Sequence, residues 1–332
     1  MATIKDIANK LGIAVSTVSK GLNGASDISD ELRELVLDTA IEMGYVSKKM
    51  RAEGTKKLCI FIKNIDYENV NSFAYDVIVG FKHMALRDNW HVTAIPVDNI
   101  LQETIKYDTY MMKNGFTAAF FIGFTLEDLW IKQLEKTTFP TVLLDNFIPK
   151  NPLVSYVGTD NYEGIYSVIE HLKQLGHTRI AFLNGPENSM VSQKRHLAFI
   201  HSMEDLGLTP KPNLIQYGYY VPECAKYYVP DFLDLGATAI VCASDMIASG
   251  VIDACRLRGF RVPDDVSVIG FDDLPISTEL TPPLTTIRQD RIELGKSAYL
   301  SINGLVHKIP ISELLLRPRF IKRNSTSVAV PR

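Results

Sequence analysis

Apolar residues recur at helical spacing three times within the first 45 positions of the chain. Thr3 followed three residues later by Asp6 predicts a capped helix start, and Gly12 predicts the end of that helix, because glycine readily adopts the left-handed backbone conformation. A second helix is predicted from about Val15 and a third from about Ser29. The expected unit is three short helices around a minimal core, with a tight turn between the first two.

The outer face of the predicted second helix carries short polar side chains and no acidic group. These residues are Ser16, Thr17, Ser19, Lys20 and Asn23. A helix face of this kind can enter the major groove of DNA and hydrogen-bond to base edges and phosphates. The alternative is a merely solvated polar face, and the pattern alone leaves both interpretations open.

From Leu58 onward, short apolar runs alternate with helical stretches. Strands are predicted at residues 58–62, 92–97, 118–122, 141–144, 180–183, 239–243 and 266–271. Helices are predicted between them, among others at residues 75–87, 163–175, 194–206 and 248–257. This alternation predicts parallel sheets covered by helices on both faces, with ligands bound at the carboxyl ends of the strands.

Length and composition point to a globular protein with more than one packed unit. The 332 residues exceed the size at which one hydrophobic core stops growing. Apolar residues make up 46% and charged residues 22%, which excludes a mainly disordered chain. The N-terminus has no secretory pattern and no segment is long enough to cross a bilayer, so we expect a cytoplasmic protein. The four cysteines have no metal-site spacing and are expected to be reduced core residues.

The net charge of −3 is unevenly distributed, which matters for nucleic-acid binding. Residues 1–26 contain three lysines against a single aspartate. Residues 45–57 carry five basic residues against Glu53, namely Lys48, Lys49, Arg51, Lys56 and Lys57. These two basic stretches could contact phosphates, although a solvated charged surface is equally consistent with charge alone.

Two groups of motifs suggest a family. The N-terminal group reads Thr3-Ile4-Lys5-Asp6-Ile7-Ala8, then Gly12, Val15-Ser16-Thr17-Val18-Ser19-Lys20 and Leu22-Asn23-Gly24. The second group lies at residues 176–181, 185–186, 244–248, 262–273 and 283–289. Over nearly the whole chain, these motifs resemble the LacI/GalR family of bacterial repressors.

The resemblance implies an α/β protein with an N-terminal helix-turn-helix domain of three helices and a two-lobed, periplasmic-binding-protein-like effector domain with parallel sheets. It places the DNA-binding domain and hinge at residues 1–57 and the effector-binding and dimerisation domain at residues 58–332. Lobe 1 would take residues 58–157 and 288–316, and lobe 2 residues 158–287 and 317–332. The implied partners are double-stranded operator DNA, a small-molecule effector and a second copy of the chain, with no cofactor, metal or membrane. The C-terminus lacks a leucine-heptad helix, so we expect a homodimer rather than a tetramer.

The resemblance also assigns DNA-binding residues. Val15 and Ser16 would read bases at the start of the recognition helix. The other positions that match family contacts to backbone or bases are Thr3, Thr17, Ser19, Lys20 and Asn23. Two features depart from the family. Ala14 replaces a frequent serine, and residues 46–55 are about two residues shorter than the usual hinge helix and lack its leucine. Met50 could replace that leucine as a minor-groove wedge, or the basic run could simply neutralise phosphates.

For the effector cleft, the resemblance assigns Phe73, Asp145, Arg195, Tyr219 and Asp272. A carboxylate and a guanidinium can each make paired hydrogen bonds to adjacent hydroxyl groups, and aromatic rings cover apolar faces. The implied effector is therefore a sugar, and the implied function is a repressor that this sugar controls. The alternative for Arg195 and Asp272 is a structural ion pair across the cleft. Ser244 stands where many relatives carry asparagine.

Two other classes of function compete with a transcription regulator. An enzyme could use Asp145, Asp272 and Asp273 as acid-base groups, but the sequence has no phosphate-binding glycine loop, nucleophile elbow or metal-spaced histidine pair. A free-standing sugar-binding protein predicts a secretory signal, which this sequence does not show. The helix-turn-helix pattern favours a transcription regulator over both alternatives.

Overall fold

The N-terminal helices form where their capping signals predict them. A computed structural model describes residues 2–23, 25, 27–43, 45 and 56–330. The hydroxyl of Thr3 accepts a hydrogen bond from the Asp6 amide, and the Asp6 carboxylate accepts one from the Thr3 amide. Gly12 follows the first helix with φ 67°. The predicted capping box and left-handed helix end are therefore confirmed.

Helices and strands follow one another along the chain as listed here. The helices are α1 (Ile4–Leu11), α2 (Val15–Asn23), α3 (Asp30–Glu42), α4 (Phe73–Arg87), α5 (Asn99–Thr104), α6 (Tyr107–Asn114), α7 (Leu129–Gln133), α8 (Asn161–Gln174), α9 (Met190–Asp205), α10 (Ala225–Asp234), α11 (Asp245–Leu257), α12 (Ile276–Glu279) and α13 (Arg291–Val306). The strands are β1 (Lys57–Ile62), β2 (His91–Pro96), β3 (Ala118–Ile122), β4 (Thr141–Leu144), β5 (Val154–Thr159), β6 (Ile180–Asn184), β7 (Ile215–Tyr217), β8 (Ala239–Cys242), β9 (Ser267–Asp272), β10 (Thr285–Arg288), β11 (Glu313–Leu316) and β12 (Arg319–Ile321). Short 3-10 turns lie at Leu134–Lys136, Pro212–Leu214 and Pro222–Cys224.

Helices α1 to α3 form a small head with its own core. Ile7, Ala8, Val18 and Val36 are buried in that core. Gly21 lies on the face of α2 that meets α3, where a Cβ atom would come within 2.9 Å of Val36 Cγ1. The two helices therefore approach closely only because position 21 has no side chain.

The strands form two sheets of the same connectivity. The first has the order β11-β5-β4-β3-β1-β2 and is parallel throughout, and the second has the order β12-β10-β9-β8-β6-β7. In the second sheet, β12 pairs antiparallel to β10 and the other pairs are parallel. We call the unit around the first sheet lobe 1 and the unit around the second lobe 2. The chain passes between the lobes after β5, β10 and β11.

Successive residues of β1 pack into different cores, as expected for a sheet covered on both faces. Leu58 and Ile60 pack with α4 and α13, whereas Cys59 and Phe61 pack with Tyr107 of α6. A continuous apolar run is thus required in this strand, and the sequence supplies one. The predicted α/β fold with two parallel-sheet lobes is confirmed.

The observed elements extend the prediction. All seven predicted strands are present with bounds within one residue, while β5, β7, β10, β11 and β12 were not predicted. The four cysteines are buried and free, which confirms that they are core residues. Among the described residues, no helix is long and apolar enough to span a membrane. The same part of the chain contains no group of three or more His, Cys, Asp or Glu side chains that could hold a metal ion.

Candidate DNA-binding surface and interlobe cleft

The outer face of α2 is exposed over the residues predicted to contact DNA. Val15 is 44% exposed at the start of the helix, and Ser16 beside it is also exposed. Lys20 and Asn23 are exposed further along, whereas Thr17 and Ser19 are half-buried. Val18 points to the head core between them. The helix therefore presents its polar face outward and its apolar face to α1 and α3.

Several of these side chains already have partners within the head. Lys20 Nζ forms an ion pair with Asp27, and Asn23 Nδ2 donates to the Ser19 carbonyl at 2.8 Å. Thr3 Oγ1 donates to Asp6 Oδ2 at 2.7 Å, and this bond lowers the pKa of Asp6. A phosphate contact from Lys20 would replace the Asp27 partner, whereas Thr3 serves the helix cap.

Two predictions fall outside the described residues. Met50 lies in the 46–55 segment, as does most of the predicted hinge, and neither is described by the structure. The minor-groove wedge therefore stays a prediction.

Two aspartates occupy equivalent strand ends on opposite sides of the cleft. Asp145 directly follows β4, and Asp272 is the last residue of β9. Both adopt positive φ values, 53° for Asp145 and 110° for Asp272, which turns the chain sharply at the sheet edge. Burial raises the pKa of each carboxyl group to about 6, and the charge of Arg195 limits both rises. Burial therefore raises the pKa of both carboxyl groups, and the charge of Arg195 lowers both.

Arg195 is the central cation of this site and is only 3% exposed. Its Nε donates to Asn161 Oδ1 at 2.8 Å, and its Nη1 donates to the Ala243 carbonyl at 2.5 Å. The guanidinium carbon lies 3.8 Å from the centroid of the Phe271 ring. Within the described ranges, Arg195 forms no ion pair at 4 Å or less, so the alternative of a structural Arg195–Asp272 ion pair is wrong. The guanidinium is held by neutral partners near two carboxylates.

Gln289 is a site residue that the sequence reasoning missed. Its Nε2 donates to Asp272 Oδ1 at 2.6 Å, while its Oε1 is buried without a hydrogen-bond partner. The signal was present, because Gln289 ends the motif at residues 283–289. It was not singled out, since an amide after a short polar strand has no distinctive chemistry until its partner is known.

The lobe 1 side of the cleft holds unpaired polar atoms. Asp145 Oδ1 and Tyr156 Oη are both buried without a hydrogen-bond partner. A Cβ atom on Gly158 would lie 2.3 Å from Tyr156 Oη and 2.8 Å from Asp145 Oδ1. These two oxygens therefore flank one small space that only glycine leaves open. A donor group entering there would relieve the cost of burying unpaired oxygens.

Side chains of lobe 2 also reach lobe 1 directly. Lys194 Nζ of α9 lies 4.1 Å from the centroid of the Tyr156 ring in β5. Asn188 Nδ2 donates to Glu127 Oε2 at 3.3 Å, between the loops that follow β6 and β3. The lobes are thus in contact at both positions.

The aromatic residue predicted from lobe 2, Tyr219, has a second tyrosine as its neighbour in the sequence. Tyr219 is 67% exposed, whereas the neighbouring Tyr220 is half-buried and its hydroxyl lies 3.0 Å from Ser192 Oγ. Burial raises the pKa of Tyr220, and the charges of Arg195, Asp272 and Asp145 all act on it. The structure therefore places Tyr220 near the charged groups of the site, whereas the side chain of Tyr219 is exposed. Phe73 begins α4 and packs against the core of lobe 1.

The remaining strand-end groups have structural partners. Burial would raise the pKa of Asp273, but hydrogen bonds from Arg323 and Arg288 keep it below its usual value. Asp245 accepts hydrogen bonds from the Leu274 amide and the Thr286 hydroxyl. Ser244 caps α11 by accepting from the Ile247 amide. These hydrogen bonds hold the loops in place, and they leave no pair of free acid-base groups among Asp245, Asp273 and Ser244.

Comparisons with known proteins agree with this architecture. The model for bacterial regulatory proteins of the lacI family matches residues 3–48, and the model for a periplasmic binding protein-like domain matches residues 169–326. The chain is 30% identical to the HTH-type transcriptional regulator MalR of Streptomyces coelicolor, over 98% of this chain and 97% of MalR. It is 26% identical to the HTH-type transcriptional repressor PurR of Mannheimia succiniciproducens, over 98% of both chains. The solved complex of the transcriptional regulator CelR with cellobiose superposes with a TM-score of 0.73 at 21% identity, covering 98% of this chain and 100% of CelR.

A helix-turn-helix head joined to a two-lobed domain with a polar cleft defines a DNA-binding transcriptional regulator with an effector-binding domain. The chain belongs to the lacI family of bacterial regulatory proteins. Members of this family regulate transcription and are not enzymes.

Proposed function

We propose that this regulator is a homodimeric repressor whose affinity for operator DNA is controlled by a sugar bound between the lobes. One observation supports the proposal: Asp145 Oδ1, Tyr156 Oη and Gln289 Oε1 are buried without hydrogen-bond partners, and the charge of Arg195 acts on the carboxyl groups of both Asp145 and Asp272. In the proposed division, residues 1–57 bind DNA and residues 58–332 bind the effector and the second subunit.

In the proposed complex, lobe 2 orients the sugar through Arg195, Asp272 and Gln289. Lobe 1 contributes Asp145, whose unpaired oxygen accepts a further hydroxyl hydrogen. Phe73 and Tyr220 are the proposed apolar walls. Hydroxyl groups suit this set because acceptors outnumber donors in the cleft. A nucleobase or nucleoside is the second candidate, since relatives include the repressors named PurR and CytR.

Calorimetric titration of the full chain with D-glucose, maltose, cellobiose, hypoxanthine and cytidine tests the effector. We expect saturable binding of a sugar, and a loss of at least about tenfold in affinity for Asp272→Asn, because a charged acceptor becomes a neutral one. Asp253→Asn is the matched control, since Asp253 lies on the exposed side of α11 in an ion pair with Arg256. Binding confined to hypoxanthine or cytidine would contradict the assignment.

On DNA, Val15 and Ser16 are proposed to contact base edges, and Thr3, Thr17, Ser19, Lys20, Asn23 and Met50 to contact backbone or bases. Selection of oligonucleotides tests this placement. The double variant Val15→Ala, Ser16→Ala should lose sequence preference by about 1–3 kcal/mol per affected base pair. Glu34→Ala on α3 is the control, because Glu34 is equally exposed but lies outside the proposed surface. Unchanged affinity and preference in the double variant would place the recognition surface elsewhere.

A further inference from the structure

Arg291 joins the two lobes through one guanidinium group. It is the first residue of α13, which packs on α4 in lobe 1. Its Nε and Nη2 atoms lie 3.0 and 2.8 Å from Asp76 Oδ2 of α4. Its Nη1 atom donates to the main-chain oxygens of Asp272 and Asp273 in lobe 2, at 3.2 and 3.1 Å. The end of β9 is therefore attached to lobe 1 by two charge-assisted hydrogen bonds.

The backbone that Arg291 contacts is strained. Asp272 and Asp273 follow one another with φ values of 110° and 55°, in a region that residues with a side chain occupy rarely and at some cost. This bend sets the direction in which the Asp272 carboxylate points. The only other main-chain contact of the Asp272 carbonyl among the described residues is a long hydrogen bond from the Gln289 amide, at 3.4 Å. Arg291 thus supplies the shorter of the two hydrogen bonds to the Asp272 carbonyl, while Arg288 and Arg323 hold the Asp273 carboxylate.

The position of Arg291 is itself fixed within lobe 1. A Cβ atom on Gly80 of α4 would lie 2.1 Å from the Ile292 carbonyl, next to Arg291, and one on Gly295 would lie 1.9 Å from the Val77 carbonyl. Helices α4 and α13 therefore touch through their backbones at two glycines. The side chain of Asp76 then aims the guanidinium towards lobe 2.

We propose that Arg291 is a positioning residue, which holds the bend after β9 in register with lobe 1 so that the Asp272 carboxylate faces Asp145 across the cleft. The inference rests on the proposed function, because Arg291 has this role only if the Asp272 carboxylate binds the effector. Arg291 does not need to touch the effector. An ordinary interlobe hydrogen bond would instead contribute to overall stability and leave the bend unaffected.

Hydrogen exchange of the full chain, without any effector, separates the two cases. The reporters are the amides of Leu274 and Gln289, which donate to Asp245 and to the Asp272 carbonyl. In Arg291→Ala we expect the exchange of these two amides to accelerate by about tenfold or more. Local opening of the bend costs less free energy in this variant, because the two hydrogen bonds from Arg291 no longer have to be broken. Arg291→Lys keeps a cationic donor and should restore part of the protection. Lys296→Ala on the same helix removes only the exposed pair with Glu293 and should change nothing.

Hydrogen exchange elsewhere in the same variants, together with their thermal unfolding, distinguishes a local effect from general destabilisation. Faster exchange at the two reporter amides, with protection of the β3 and β8 amides retained, supports the positioning role. Unchanged reporters in Arg291→Ala would overturn it, and so would equal acceleration in both lobes, which indicates general destabilisation. Because no effector is present, this outcome is independent of the calorimetric screen: failure of every sugar to bind would remove the proposed function and leave the exchange result standing.

Discussion

Lobe 1 and lobe 2 repeat one strand order, and each places an aspartate at the end of its fourth strand. Read from one edge, β2-β1-β3-β4-β5-β11 corresponds to β7-β6-β8-β9-β10-β12. Asp145 and Asp272 are therefore equivalent positions, with positive φ values and a pKa of about 6 in both. Carboxyl ends of parallel strands meet at one sheet edge, so the shared topology alone directs both groups to the cleft.

The two lobes differ in how these equivalent groups are satisfied. Asp272 accepts a hydrogen bond from Gln289, and its backbone is held by Arg291. Asp145 keeps a buried oxygen without a partner, next to the equally unpaired hydroxyl of Tyr156. In lobe 2 the aspartate is paired before any ligand arrives and Gln289 Oε1 stays unpaired, whereas in lobe 1 both Asp145 Oδ1 and Tyr156 Oη lack a partner. In the proposed function, a ligand that donates to lobe 1 favours the arrangement in which it contacts both lobes, because a ligand shifts an equilibrium only through its differential affinity for the two states.

The largest expected effect comes from removing the cation that both lobes share. Arg195→Ala should lower the free energy of unfolding by about 2–3 kcal/mol, because two buried hydrogen bonds and the packing on Phe271 are lost. Effector binding should disappear as well. Denaturant unfolding and calorimetry measure the two losses. Arg258→Ala breaks an exposed pair with Asp234 and should leave both quantities nearly unchanged; a similar loss in the two variants would refute the central role of Arg195.

Filling the small space in lobe 1 should have the next largest effect. Gly158→Ala places a methyl group against Tyr156 Oη and Asp145 Oδ1, and overpacking of this kind costs about 1–3 kcal/mol. Ser155→Ala on the same strand is the control, because its hydroxyl is buried without a partner and its removal should be neutral or slightly stabilising. If Gly158→Ala were as stable as wild type, the space beside Asp145 would be larger than the structure indicates.

The raised pKa of Asp145 predicts a pH-dependent contribution to stability. Its folded pKa of about 6 exceeds the ordinary value of 3.8, so the folded state binds the proton more tightly than the unfolded state. This contribution is fully present below about pH 4 and is lost as the pH rises through 6. Asp145→Asn should therefore stabilise the protein by about 1–2 kcal/mol at pH 7 and by little at pH 4. Asparagine tolerates the left-handed backbone at this position. Urea unfolding at the two pH values is the measurement, and a destabilised variant at pH 7 would contradict the prediction.

The smallest effect separates the adjacent tyrosines of lobe 2. Tyr220→Phe removes the hydroxyl that contacts Ser192 and should cost about 1 kcal/mol. Tyr219→Phe changes an exposed side chain and should have no measurable effect on stability or on sugar binding. Thermal unfolding and calorimetry of the pair decide which tyrosine belongs to the site. A larger effect at Tyr219 would favour Tyr219, the residue that the sequence predicts.

Strands that contain apolar runs were predicted well, and the short or polar ones were missed. Strands β1, β3 and β4 are continuous apolar runs, whose composition alone requires a buried sheet position. Strand β5 contains Ser155, Gly158 and Thr159 and is nevertheless fully buried, because β4 and β11 pair with it on either side. Strand β12 has only three residues and forms by pairing with β10. Strands distant in sequence supply the hydrogen-bond partners and the burial that the local sequence pattern does not predict.

The sequence by itself determined the helix-turn-helix head, the α/β alternation and the presence of aspartates at two strand ends, because caps and apolar periodicity are local properties. Only the tertiary structure decided which of Tyr219 and Tyr220 turns inward. The same holds for the Gln289 partner of Asp272 and for the contact of Arg291 with Asp76, which lies 215 residues away along the chain. The physical reason is that such pairs meet only after sheets and helices have packed. A strand end in the sequence specifies where a side chain emerges, and the packing of the other elements specifies what it meets.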